Sequence, residues 1–282
     1  MPRAHYYPPM DPRRLPPDAR LGAVHLRVCD LPRQVAFYED VLGFQLLAED
    51  GATAALGTTD GRPLVVLHGE PTAPSRPQGT TGLFHLALRL PSRADLGALV
   101  RRVQNAGHPF DGFADHNVSE AAYLTDPEGN GIELYADRSP EGWRGVDGEV
   151  FMTTEPLDVP GLLVAASAPA PRLPARTTVG HIHLRVSSLV DAESFYVDRL
   201  GFEVMTRSFP GALFTAAGGY HHHVGLNVWG GPGAPKPPDG SLGLVYFEVV
   251  VPSENARREL LGDSGEGYLL DPDNIGVRIT RG

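Results

Sequence analysis

Tyr123-Leu124-Thr125-Asp126-Pro127-Glu128-Gly129-Asn130-Gly131-Ile132-Glu133-Leu134-Tyr135 is the stretch on which the architecture turns. A strand enters a turn of Asp, Pro, Gly and Asn, each a turn former for its own physical reason, and a second strand leaves it. The second strand carries one carboxylate, Glu133, among apolar neighbours. A lone charge there is costly to bury, and a metal ion would offset it directly. Upstream, Gly82–Leu88 carries His85, and Gly180–Val186 carries His181 and His183, in strands of the same kind. Two histidines and one carboxylate form the facial triad that holds non-haem Fe(II) and leaves positions open for other ligands.

Side chains alternate along a strand. His181, His183 and Arg185 therefore oppose Ile182, Leu184 and Val186, while His85, Ala87 and Arg89 oppose Phe84, Leu86 and Leu88. Glu133 and Tyr135 oppose Ile132 and Leu134 in the same way. Taken singly, each histidine is more often an ordinary satisfied residue than a ligand. Three strands that each set a ligand type against their apolar face favour a shared polar concavity with helices outside.

The chain has 282 residues, which allows two medium cores. Its formal charge of −10 argues against nucleic acid or an anionic membrane surface as the main partner. No apolar run approaches the roughly 18 residues of a membrane span, and the Met1 segment has no apolar signal core. A single cysteine, Cys29, excludes an intramolecular disulfide and fits a reducing cytoplasm. Cys29 itself reads as a small buried residue rather than a nucleophile.

The chain repeats itself. Leu21–Gln45 against Val179–Glu203, an offset of 179 − 21 = 158, gives 12 identities in 25 positions. Both copies run strand, turn, helix, then Leu-Gly-Phe. In the first helix Asp30 caps, Pro32 suits the first turn, Val35, Tyr38, Val41 and Leu42 form the apolar stripe, and Gly43 stops it. Further units begin near Leu83 and Leu244, the last one short because Ser253–Gly262 leaves room for only a stunted helix. The expected fold is α+β: four βαβββ units forming two curved-sheet, half-barrel cavities with helices outside. Residues 1–20 are expected to be an extended arm, 21–138 the first module, 139–178 a linker and 179–282 the second module with its shortened last unit.

Three motifs carry a closer likeness: Asp115-His116-Asn117-Val118-Ser119-Glu120-Ala121-Ala122-Tyr123, Met152-Thr153-Thr154, and Gly218-Gly219-Tyr220-His221-His222-His223-Val224-Gly225-Leu226-Asn227. With the βαβββ pattern, they make the chain resemble the vicinal-oxygen-chelate superfamily of glyoxalases, bleomycin-resistance proteins and extradiol dioxygenases. Within it, the chain resembles most the two-module bacterial catechol 2,3-dioxygenases. The resemblance implies His85, Glu133 and His181 as metal ligands. The first-strand ligand of that family lies seven positions before the helix cap, which gives His181 from Ser188 but Ala23 from Asp30. The corresponding fourth-unit positions are Tyr246 and Arg278, so one cavity is complete and the other degenerate. A rival set, His25 with His85 and Glu133, would place the site wholly in the first half.

The implied activity is metal-dependent extradiol cleavage of a catechol-type diol by O2, with Fe(II), or Mn(II) in its place. His222 is the implied acid–base, Tyr123 a hydrogen-bond partner of substrate, and His116 a further candidate on the loop over the cavity. The plain alternatives are a polar histidine cluster and a core tyrosine. Two other functions fit the same fold. A glyoxalase-like lyase or isomerase would bring a fourth protein ligand, which none of the three strands supplies convincingly. A non-catalytic small-molecule binder would need no metal at all. The partners expected are a small aromatic diol and O2, without nucleic acid or membrane, and the oligomeric state stays open.

Overall fold

The computed structural model describes residues 14–145, 148–261 and 267–282. Most of the expected N-terminal arm, residues 1–13, lies outside the described residues. The first unit supplies strands β1 (Arg20–Val28), β2 (Gln45–Glu49), β3 (Thr53–Gly57) and β4 (Pro63–Gly69), with helix α1 (Leu31–Ala36) after β1. The second supplies β5 (Gly82–Arg89), α2 (Arg93–Asn105), β6 (Gly112–Asp115), β7 (Ser119–Thr125) and β8 (Gly131–Asp137). Helix α3 (Val159–Val164) follows. The third unit is β9 (Thr178–Arg185), α4 (Leu189–Glu193), β10 (Glu203–Thr206), β11 (Ala212–Ala216) and β12 (Val224–Asn227). The fourth comprises β13 (Gly243–Val251), α5 (Glu254–Leu261), β14 (Tyr268–Leu270) and β15 (Gly276–Arg281).

These strands make two mixed sheets, and each draws on both halves of the sequence. One runs β14-β15-β13-β1-β4-β3-β2, the other β10-β11-β12-β9-β5-β8-β7-β6. The seams between halves are the antiparallel pairs β1–β13 and β5–β9. Apolar residues such as Leu26, Leu67, Leu86 and Leu88 are fully buried under the helices.

Local chemistry explains the helix boundaries. Asp30 accepts from Arg33 N at 3.1 Å and caps α1. The helix then widens into a π turn over Phe37–Val41 before Gly43, whose φ of +77° ends it. The repeat does the same with a π turn at Ser194–Arg199 and Gly201 at φ +82°. Each closing hairpin also reaches back to the other unit of its half. Glu128 accepts from Cys29 N and Asp30 N at 2.8 Å, and Asp273 from Ser187 N at 2.8 Å.

Some sequence expectations shift. Cys29, expected to be buried, is exposed, because the Glu128 contacts hold its backbone at the surface turn before α1. Strand β12 stops at Asn227, whose side chain accepts from Trp229 N at 3.2 Å and turns the chain out of the ladder. Strand β6 was not anticipated; four residues are too few to show alternation. The segment read as a linker is well anchored: Arg101 donates to Leu163 O at 2.9 Å, tying α3 to α2. No helix among the described residues is long and apolar enough to cross a membrane.

Candidate metal centre

Strands β7, β8, β5 and β9 lie side by side, and their registers set a row of residues at one level. Tyr123 pairs with Glu133, Glu133 with Ala87, and Ala87 with His181. The methyl group of Ala87 leaves space above it, and Glu133 and His181 close over that space with Oε2 to Nε2 at 3.1 Å. The next row is Thr125, Gly131, His85, His183 and Gly225. Its two glycines allow close approach: a Cβ on Gly131 would stand 2.4 Å from Phe84 O in the β5 backbone, and one on Gly225 would stand 3.0 Å from the His183 ring. His85 Nε2 reaches the same Glu133 oxygen at 3.0 Å, but at an angle that leaves this buried nitrogen without a hydrogen-bond partner.

The structure thus brings His85, Glu133 and His181 together, with one donor atom from each lying within 4.8 Å of the others and all three residues buried. Burial alone would raise the Glu133 carboxyl, but its pairing with His181, and with His85 beside it, holds it well below its usual range. Burial drives His181 down to about 4, against the pull of Glu133 upward. Neutral imidazoles and an ionised carboxylate are the protonation states that bind a divalent cation. The orphaned His85 Nε2 and the compact N2O donor set fit such an ion.

The triad lies on a cavity of about 400 Å³. Tyr123 stands on one side, its hydroxyl 2.6 Å from His116 Nε2, while His116 Nδ1 meets Thr153 O at 2.6 Å. Burial, then the neighbouring Glu133 charge, pushes the Tyr123 hydroxyl well above its ordinary value. His222 stands on the other side, its ring centroid 4.0 Å from that of His181. Of the three consecutive histidines, His222 lines the cavity. His221 sits behind it, with Nδ1 2.9 Å from His222 Nδ1 and Nε2 2.9 Å from Asp137. His223 turns away and accepts from Ala217 N at 3.1 Å.

The degenerate counterpart lies in the other sheet. His25 stacks on Tyr246 at 3.9 Å and bonds His68 at 3.0 Å; Arg278 donates to the Tyr246 hydroxyl at 3.2 Å; Ala23 N donates to Glu248 at 3.2 Å. His25 is therefore held by its own neighbours, apart from His85 and Glu133.

Sequence reasoning missed several cavity residues. Phe84, assigned by alternation to the helix face, lies on the cavity with His85, because β5 slips its register against β9 between Leu83 and His85. A bulge of this kind has no signature in a strictly alternating run. His183 was visible as a strand histidine facing the right way, but its place beside His85, at 5.0 Å between ring centroids, comes from the β5–β9 register. Met152 and Thr154 were noticed only as part of a linker motif and prove to line the cavity.

Two sheets, one of them bearing a two-histidine, one-carboxylate cluster, agree with the family comparison: residues 20–134 match the model of the Glyoxalase/Bleomycin resistance protein/Dioxygenase superfamily, and the chain belongs to that superfamily. A Bacillus subtilis (strain 168) relative named catechol-2,3-dioxygenase is 44% identical over 242 residues, 84% of either chain. A Rhodococcus globerulus protein named biphenyl-2,3-diol 1,2-dioxygenase 3 is 32% identical over 120 residues, 42% of this chain and 63% of that one. Among solved structures, glyoxalase I from Zea mays matches with a TM-score of 0.58 at 16% identity, over 94% of this chain and 92% of the other. That last likeness speaks for the fold alone.

Proposed function

We propose that the chain is a metal-dependent extradiol dioxygenase that cleaves the ring of a catechol-type diol with O2. The observation that carries this reading is the buried convergence of His85, Glu133 and His181 on a cavity flanked by His222 and by the Tyr123–His116 pair. The metal is Fe(II), with Mn(II) able to take the same three donors. When bound, it supplies Lewis acidity that lowers the pKa of a chelated hydroxyl, and positions open to diol and O2 together.

The protein's own groups handle the protons. Asp137 accepts from His221 Nε2–H, and in the tautomer that leaves His221 Nδ1 without a proton that nitrogen accepts from His222 Nδ1–H. His222 is left with Nε2 as its acceptor, the tautomer a base on the cavity wall requires. Burial, with His181 and His221 beside it, keeps this ring neutral by lowering its pKa well below the usual histidine value. Tyr123 keeps its proton and shares it with His116, so it serves as a hydrogen-bond donor rather than a base.

The test is anaerobic loading with Fe(II) or Mn(II), followed by a screen of catechols. O2 uptake with a yellow ring-opened semialdehyde is expected. Absence of O2 uptake across a broad panel, together with isomerisation of a thiol adduct, would replace this reading with a metal-dependent lyase.

A further inference from the structure

The cavity has a chemical bias that the metal triad does not explain. Beside the triad its wall is a chain of aromatic rings: Phe84 to Trp229 at 5.5 Å, Trp229 to Phe209 at 6.1 Å, and Phe209 to Phe214 at 5.9 Å between centroids. Ala114, Val118 and Met152 continue the apolar lining. Among the described residues, no lysine or arginine lines it. The imidazole of His183 packs against Phe84 and Trp229, and its Nε2 is buried without a hydrogen-bond partner.

Cations do exist nearby, on the far side of a partition. Arg185 lies over the outer face of Phe84, 4.7 Å from its centroid. Together with Arg76 it lines a second cavity of about 600 Å³, which shares Phe84 and Trp229 with the first. The bulge that swings Phe84 onto the concave side therefore sets an aromatic ring between these guanidiniums and the triad.

We propose that the cavity selects catechols bearing an uncharged apolar substituent, aryl or alkyl, and rejects ring carboxylates, with Phe84 as the partition that keeps Arg185 away from the substrate. This rests on the ring-cleavage reading for its choice of a diol. The physical argument is desolvation. An apolar substituent gains by leaving water for the aromatic wall. A carboxylate against that wall would lose its hydration and find no cationic side chain to pair with.

Two arms separate this proposal from the reading beneath it. In the first, metal-loaded protein under argon is titrated calorimetrically with two uncleavable probes, 3-hydroxybiphenyl and 3-hydroxybenzoate. The biaryl should bind at least about tenfold more tightly; equal or reversed affinity overturns the proposal. In the second, kcat/KM for 3,4-dihydroxybiphenyl should exceed that for 3,4-dihydroxybenzoate by at least about a hundredfold. If the binding preference holds and neither diol is cleaved, the selectivity stands and ring cleavage falls. Phe84→Ala, checked for unchanged metal content, should narrow the preference about tenfold by opening the cavity to Arg185. An unchanged ratio in that variant overturns the assignment of Phe84 as partition.

Discussion

Replacing His181 with alanine tests whether the centre spans both halves of the chain. The side chain is buried, gives Glu133 a 3.1 Å hydrogen bond, and packs at 4.0 Å and 4.9 Å from the rings of His222 and Tyr135. Truncation of a buried ring and loss of a partner for Glu133 should cost about 2–3 kcal/mol in the metal-free protein. A domain with about 5–15 kcal/mol to lose would still fold. Metal affinity should fall much further. Loss of a group that only orients a ligand costs about 10–100-fold, so loss of a ligand itself should exceed about 100-fold. His25→Ala is the matched control. It gives up the 3.9 Å stack on Tyr246 and the bond to His68, about 1–2 kcal/mol together, and should leave metal affinity within about threefold. Urea unfolding of the metal-free variants gives the first quantity, and competition against a chromophoric chelator gives the second. Retained affinity in His181→Ala beside lost affinity in His25→Ala would refute the reasoning and move the centre into the first half.

Three further outcomes can be checked. His222→Ala should keep its metal and lose about 10²–10⁴-fold in kcat, and normal turnover would shift suspicion to His116. Tyr123→Phe should leave His116 anchored on Thr153 O and cost only about 1 kcal/mol of stability, while lowering kcat more than it changes KM; a pure KM effect would make the hydroxyl a simple binding contact. The metal-free protein should lose stability as pH falls from 6.5 toward 4. Over that range unfolded His181 takes up a proton and the folded ring, at about 4, does not, a loss of roughly 3 kcal/mol from this residue alone. Burial acts in the same direction on His183 and His222. Below the ordinary carboxylate pKa, loss of the ionised Glu133 adds to the decline. A flat urea midpoint between pH 7 and 4.5 would contradict these assignments.

What the sequence reveals here follows from which forces are local. The hairpin at Asp126–Asn130 and the cap at Asp30 are decided by neighbours a few residues away, so they are legible from a short window. Facing was legible wherever the strand stayed regular, as at Glu133 and His181. It failed at Phe84, where the slip is imposed by the partner strand β9. The contact of Thr153 with His116 and the relay from Asp137 through His221 join residues far apart in sequence, and no periodicity announces them. The family pattern pointed to one full and one empty ligand set, while the stacking of His25 on Tyr246 that fills the second is a packing detail only coordinates give.

The seam between β5 and β9 also has a temporal meaning during synthesis. Glu133 and His181 are 48 residues apart, so at about 5–20 residues per second the ribosome needs roughly 2–10 s to supply the third proposed ligand after the second. Through that interval β5, destined for the middle of its sheet, has no neighbour on one side, and β1 likewise awaits β13. Two open, apolar strand edges invite pairing with other nascent chains. Arrival of β9 seals one of them and completes the proposed donor set in a single event, so uptake of an ion there can begin only once β5 is paired on both sides.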